Sequence, residues 1–395
     1  MDKRNQNKKQ QLNKQICPYS KSCGGCKYID GEYKESLKKK QATVERLVGK
    51  YCTVKQILGM KNPYHYRNKV NAAFARTRKG QIVSGMYEAK SHQVVNIDSC
   101  LIEKEVADSI IRDIRDLAKS FKIQIYNEDT GYGLLRHVMV RVGHVTGQVL
   151  VVIVLRSPVM PSKNNFAKAL RKLHPEITSI VLNVNDKNDS MVLGKRDIPI
   201  YGRGYIEDEL CGLKFRISPQ SFYQINSEQT EKLYKKAISL AMLNGNERVI
   251  DAYCGIGTIG MVASKQAGEV IGVELNKDAV RDAINNAKAN GIKNIRFVCD
   301  DASDFMVKMA AAGEKADVVI MDPPRAGSTE VFMKSVIKLS PQRVVYVSCN
   351  PETLSRDLEF FTKNGYVAES AWPVDMFCFS EHVETVCLLS KKCPV

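Results

Sequence analysis

Arg343-Val344-Val345-Tyr346-Val347-Ser348-Cys349-Asn350-Pro351 is the stretch on which the reading of the fold turns. An apolar run of strand character ends in a thiol and passes through Asn-Pro into a helix-forming segment. Upstream, Val318-Val319-Ile320-Met321 empties into Asp322-Pro323-Pro324-Arg325. Val249-Ile250-Asp251 leads into a glycine turn, and Val270-Ile271-Gly272-Val273 into Glu274. Four strands that each end in a polar or reactive residue define one edge of a parallel sheet, where ligands bind in open α/β folds.

From residue 248 onward, strand and helix patterns alternate: 248–253, 258–266, 270–274, 277–290, 294–299, 301–312, 317–321, 328–338, 343–348 and 351–364. This is the signature of βαβ units in a doubly wound, Rossmann-like α/β domain. Two further strands, near 366–374 and 382–390, have no helix between them and predict an antiparallel edge addition. Ahead of this domain, helices are predicted over 31–49, 104–120 and 228–243, with short strands over 52–100 and an α+β pattern over 132–215. The expected division is a basic tail (1–16), an α+β domain (17–215) and the doubly wound domain (216–395).

The 395 residues carry a formal charge of +16, unevenly spread. Residues 1–100 hold 21 Lys+Arg against 7 Asp+Glu, a net of +14. Such a surplus predicts a polyanionic partner, most simply nucleic acid, with the tail cations Lys3, Arg4, Lys8, Lys9 and Lys14 among the contacts. No apolar run follows the basic start and none is long enough to span a membrane, which predicts a cytoplasmic chain. Twelve cysteines in a reducing compartment point to metal or catalysis rather than disulfides. Cys52, Cys211 and Cys387 are read as small apolar packing residues.

Gly255-Ile256-Gly257-Thr258-Ile259-Gly260 follows a strand and opens a helix, with Glu274 nineteen residues beyond Gly255. On spacing alone this suits a dinucleotide, the acid meeting a ribose. S-adenosylmethionine needs the same glycine turn and ribose carboxylate but brings no pyrophosphate. Asp251 beside the turn suits a cationic ligand better than an anionic one. Asp322-Pro323-Pro324-Arg325, a carboxylate backed by a stiff wall, suits a planar base held near a sulfonium methyl. Cys349 then acquires a purpose. Carbon 5 of uracil is a poor nucleophile until a thiolate adds at carbon 6, and the helix starting after Cys349 is expected to lower its thiol pKa. The adduct must later lose its carbon 5 proton. Glu384, in His382-Val383-Glu384-Thr385-Val386, is the candidate base, with Asp375 the next carboxylate in sequence and His382 a structural residue.

Cys17, Cys23 and Cys26 are spaced C-x5-C-x2-C, and Cys100 lies far downstream. Four such thiolates suit zinc or an iron–sulfur cluster, and one distant ligand leans toward the latter.

Together these features resemble the bacterial RNA uracil-5-methyltransferase family, in its iron–sulfur branch acting on 23S ribosomal RNA. The resemblance runs from Cys17 almost to the C-terminus. It rests on the four cysteines, Tyr66-Arg67-Asn68-Lys69, Leu135-Arg136-His137, Ser221-Phe222-Tyr223-Gln224-Ile225-Asn226, Asp251 to Gly257, Asp322 to Arg325, Ser348-Cys349-Asn350-Pro351 and His382-Val383-Glu384. It implies a class I methyltransferase domain with Cys349 as nucleophile and Glu384 as base. Gln224, Tyr253, Glu274 and Asp322 would contact S-adenosylmethionine, and Cys17, Cys23, Cys26 and Cys100 a [4Fe-4S] cluster. The implied partner is 23S rRNA, with tRNA as the alternative and base amino-methylation a further one, and the implied state a monomer. Two departures stand out. Only sixteen residues precede Cys17, so the N-terminal TRAM-type barrel of many members is expected to be missing. Met376-Phe377-Cys378 replaces the usual Met-Phe-Pro, which is expected to loosen the loop before Glu384.

Overall fold

The computed structural model describes residues 15–89 and 91–392, so the five tail cations expected to meet RNA lie outside the described residues. In chain order the elements are α1 (Tyr33–Val48), β1 (Thr53–Val54), β2 (Lys69–Arg76), β3 (Ile82–Tyr87), β4 (Val94–Asn96), α2 (Glu105–Ser120), β5 (Leu135–Val142), β6 (Val149–Leu155), α3 (Lys163–Leu173), β7 (Ile177–Val184), β8 (Arg196–Tyr201), β9 (Ile206–Leu210) and β10 (Leu213–Ile217). There follow α4 (Ser227–Ala241), β11 (Arg248–Ala252), α5 (Thr258–Ala263), β12 (Glu269–Glu274), α6 (Lys277–Ala289), β13 (Ile295–Cys299), α7 (Ala302–Ala311), β14 (Val318–Met321), α8 (Glu330–Leu339), β15 (Arg343–Ser348), α9 (Pro351–Lys363), β16 (Tyr366–Val374) and β17 (Glu384–Lys391).

The C-terminal sheet runs β1-β16-β17-β15-β14-β11-β12-β13. Strands β15, β14, β11, β12 and β13 are mutually parallel, as their near-continuous apolar runs require for strands buried on both faces. The final two strands are antiparallel, as expected, but β16 is not the edge: β17 lies between β15 and β16, and β1 adds beyond β16 in parallel. A second sheet, β4-β3-β2-β5-β6-β7-β8, forms the middle of the molecule. Its outer face is closed by α2 and α3, whose Ile110, Ile114, Phe166 and Leu170 pack on Val138, Val140, Val151 and Ile153. Its inner face meets the β9–β10 hairpin and the C-terminal sheet in a shared core that joins Met139, Val152, Phe215, Leu233, Val249, Val318 and Val345. The other face of the C-terminal sheet is covered by α7, α8 and α9, and also by Val44 and Val48 of α1.

Helix α1 and β1 therefore belong structurally to the C-terminal sheet, although the sequence groups them with the α+β region. Sequence proximity cannot reveal this, because the partner strand β16 comes more than three hundred residues later. The attachment is specific as well as apolar. Lys40, fully buried, donates to the Asp375 carboxylate and to the Phe377 carbonyl at 2.9 Å. Tyr33 donates to the other Asp375 oxygen at 2.6 Å and accepts the Met60 N–H at 2.9 Å. Gln229 holds the carbonyls of Leu58 and Asp375 at 2.7 and 3.0 Å. A buried ion pair adds little net stability, but breaking it strands a charge. Lys40→Met is expected to cost about 3–5 kcal/mol, with most of it recovered in Lys40→Met/Asp375→Leu, measured by urea denaturation. A single variant as stable as the parent would remove Lys40 from this role.

Candidate active site

Strands β15 and β17 pair antiparallel from Arg343 opposite Ser390 to Ser348 opposite Thr385. One step further in the same register puts Cys349 opposite Glu384. Directly opposed residues hold their Cβ atoms about 4.5–5.5 Å apart. On the other side, Met321 pairs with Tyr346, so Asp322 leaves the neighbouring strand at the same edge. The loop beginning at Asp322 is tied to the head of α9, because Arg325 offers its carbonyl to Asn350 at 3.2 Å and to Thr353 at 3.4 Å. Thiol, base and loop thus come from three adjacent strands, and Arg325 faces both Cys349 and Glu384.

The electrostatics depart from the sequence expectation. The start of α9 does not lower the Cys349 pKa. Burial, followed by the negative charges of Glu384 and Asp322, pushes it up to about 11, and Arg325 offsets only part of this. The helix terminus is also spent locally, since Asn350 caps α9 by accepting the Glu352 N–H at 3.0 Å. Glu384 is buried, and burial first, then Asp322, raises it well above the ordinary carboxylate range. Asp322 is likewise raised by burial. A cavity of about 500 Å³ opens over Cys349, lined by Arg325, Asn350 and His382 and walled by Lys27 and Tyr28 of the cysteine loop and Lys39 of α1.

The loop before Glu384 is not loosened by the missing proline. Cys378 is fully buried, its sulfur lies 3.6 Å from the Tyr33 hydroxyl, and its carbonyl accepts from Tyr66 at 3.3 Å. His382 donates its backbone N–H to Ser380 and sets its ring against Phe377, in keeping with a structural part. Asp375, the next carboxylate in sequence, is locked to Lys40 and Tyr33 and points away from base chemistry.

Beside this pocket lies a second polar edge. Asp251 accepts the Gly260 N–H at 2.8 Å, and a Cβ at Gly260 would come within 2.7 Å of that carboxylate. Glu274 accepts the N–H groups of Gly255 at 3.0 Å and Asn276 at 2.8 Å. Tyr253, Gly255 and Gly257 all take positive φ, and the space beside the Gly255 Cα is open, which allows a ligand close to the backbone. Asp251 is pushed up to about 7 by burial and then by Asp322 and Glu274. Three carboxylates repelling one another around an open glycine turn suit a cation, so these residues fit the sulfonium of S-adenosylmethionine. Tyr253 packs its ring against Phe332 at 5.5 Å, and Gln224 is buried with its carbonyl held by Asn68 at 3.1 Å. Asp301, which caps α7 and bears on the Tyr253 hydroxyl, was missed by sequence reasoning. Its signal was available: Asp300-Asp301 ends the strand β13 at this same edge.

A family profile described as tRNA (uracil-5-)-methyltransferase matches residues 32–392. The chain belongs to the RNA uracil-5-methyltransferase family. It is 41% identical over 381 residues to a protein named as an uncharacterized RNA methyltransferase of Halalkalibacterium halodurans, covering 95% of this chain and 83% of that one. A similarly named Bacillus cereus protein is 40% identical over 380 residues, covering 95% and 82%. Among solved structures, the tRNA (uracil-54, C5)-methyltransferase of Pyrococcus abyssi in complex with S-adenosyl-L-homocysteine superposes with a TM-score of 0.78 at 27% identity, covering 93% of this chain and 86% of that one. The protein is accordingly an S-adenosylmethionine-dependent RNA methyltransferase. No helix among the described residues is long and apolar enough to cross a membrane.

The cysteine set of this methyltransferase is only partly assembled. Cys17, Cys26 and Cys100 pack around one small core with Ile29, Tyr66 and Phe379. Cys17 and Cys23 press on Cys26, which burial first raises to about 12, and Glu103 bears on Cys23, Cys26 and Cys100 alike. The four thiols thus share a neighbourhood. Among the described residues, however, no group of three or more Cys, His, Asp or Glu side chains is arranged to hold a metal ion. The donor chemistry suits a thiophilic metal, while the arrangement is not a preformed site. Cys387 is buried as expected, and Cys52 and Cys211 are half-buried.

Proposed function

We propose that this protein methylates carbon 5 of a uridine in 23S rRNA through a covalent adduct at carbon 6. The observation that carries the reading is the register that sets Cys349 opposite Glu384 at the floor of a cation-rimmed pocket. The Cys349 thiolate adds to carbon 6, and the C5–C6 π electrons move onto the carbon 4 carbonyl oxygen. S-adenosylmethionine, held by Gln224, Tyr253, Glu274 and Asp322, supplies the methyl group. Glu384 then removes the carbon 5 proton, the C5–C6 double bond reforms, and the thiolate is expelled. Arg325 faces the reacting carboxylate and thiol and tempers their mutual repulsion. The resemblance to the iron–sulfur branch supports ribosomal RNA. A tRNA uridine is the second reading, favoured by the tRNA activity named for the family profile and for the Pyrococcus abyssi protein. Mapping 5-methyluridine in both RNA pools of a strain lacking the protein tests this. Loss from 23S rRNA is expected, and loss from tRNA alone would reverse the assignment.

The same reading gives Cys17, Cys23, Cys26 and Cys100 a [4Fe-4S] cluster. Protein purified without oxygen is expected to be brown and to contain iron and acid-labile sulfide. Cys23→Ser or Cys100→Ser should bleach it. Stoichiometric zinc without iron would overturn the assignment.

A further inference from the structure

We propose that the inner face of the central sheet beside Gln224 binds a phosphodiester of the RNA strand flanking the target uridine, with Phe222 stacking on the adjoining base. This rests on the RNA reading above and adds a place on the protein for the flanking strand. Strands β2 and β5 pair with Lys69 opposite Arg141, Asn71 opposite Met139 and Ala73 opposite His137. Opposed residues share a face, so Lys69, Asn71, His137 and Arg141 emerge on one side. Met139 shows which side, because it packs into the core shared with the methyltransferase sheet. The start of β2 is pinned to the Gln224 loop. Asn68 donates its N–H to Ile225 at 2.9 Å and its side-chain amide to Gln224 at 3.1 Å, and Arg141 donates to the Ser221 carbonyl.

Three cations crowd this corner. Lys69 is pushed down to about 8 by burial and then by Arg141 and Arg67, with no carboxylate among its causes to offset them. Arg141 is 4% exposed. Arg67 also faces Glu103, but Lys69 and Arg141 have no such relief. Buried like charges are costly unless an anion joins them. Two neutral groups beside them are also unsatisfied: Asn71 Oδ1 and His137 Nδ1 are buried without a hydrogen-bond partner. Burial and Arg136 push His137 down to about 4, so it offers a neutral ring rather than a further charge. Phe222 follows the Ser221 carbonyl held by Arg141 and is 65% exposed in a loop whose neighbours are buried. Cations for phosphate, neutral polar groups for sugar or base edge, and a free aromatic ring are the elements of single-strand recognition.

The test compares wild type, Lys69→Gln, Phe222→Ala and Phe222→Trp. Binding of a uridine-containing single-stranded RNA oligonucleotide is read by fluorescence anisotropy across a salt series, and S-adenosylmethionine binding by calorimetry. Lys69→Gln is expected to bind RNA about fivefold more weakly at 0.1 M salt and to flatten the log–log salt slope by about 0.7. Phe222→Ala should bind roughly tenfold more weakly with its slope unchanged, and Phe222→Trp should restore binding. Both variants should keep the cofactor affinity of the wild type. An unchanged slope in Lys69→Gln overturns the proposal. So does lost cofactor affinity with an unchanged slope, which would assign the corner to the cofactor carboxylate. Wild type that binds no RNA would instead overturn the functional reading itself, and this proposal with it.

Discussion

Cys349→Ala is expected to abolish methyl transfer, with a loss of roughly 10⁴-fold or more, while S-adenosylmethionine still binds with wild-type affinity. Without addition at carbon 6, carbon 5 of uracil has no enolate character, and nothing else at this edge supplies a nucleophile. The side chain is half-buried, so its truncation should change stability by no more than about 1 kcal/mol. Cofactor affinity, measured by calorimetry, separates lost chemistry from lost folding, because the glycine turn and its carboxylates lie on other strands. Normal turnover by Cys349→Ala would sink the covalent mechanism.

Glu384→Gln is expected to stall after methyl transfer rather than before it. The shape is kept and the basicity removed, so addition and methylation proceed while the carbon 5 proton stays in place. A slow-migrating, methyl-carrying protein–RNA band should accumulate on a denaturing gel, and Cys349→Ala in the same chain should erase it. Glu384→Gln with normal turnover, or with no adduct despite bound RNA and cofactor, would exclude Glu384 as base. The pH dependence follows in sign. Both Cys349 and Glu384 act in their unprotonated forms, and both are held above their ordinary values by burial and by neighbouring carboxylates. Their inactive, protonated forms therefore persist to higher pH, and the single-turnover rate should still be climbing above pH 8. A rate already flat at pH 6 would contradict this.

The alternation of strands and helices from residue 248 could be read from the sequence almost to the residue, because parallel strands buried on both faces and glycine-led turns leave strong local signals. The confluence of Cys349, Asp322 and Glu384 at one edge was legible for the same reason. What local patterns could not carry was pairing between distant segments: β1 on β16, Lys40 with Asp375, and the cationic corner of β2 and β5 beside Gln224. Thiol acidity was misjudged because a helix start was visible in sequence, whereas the burial and the two carboxylates that outweigh it were not. The cysteine spacing named plausible ligands, yet it could not say how close the folded chain brings them.

The docking of α1 and β1 onto β16 also has a consequence during synthesis. Thr53 finds its partner only when Ser370 exists, and Lys55 donates to the Ala371 carbonyl at 2.8 Å. At ribosomal rates of roughly 5–20 residues per second, the first helix waits about 15–60 s after its own translation before its seat is made. A chain that stops short of β17 lacks the strand bearing Glu384, and one that stops before β16 also leaves Lys39, on the wall of the Cys349 cavity, without its anchor. An aborted product therefore cannot trap a uridine it is unable to release. Catalytic competence arrives last, with the final strand off the ribosome.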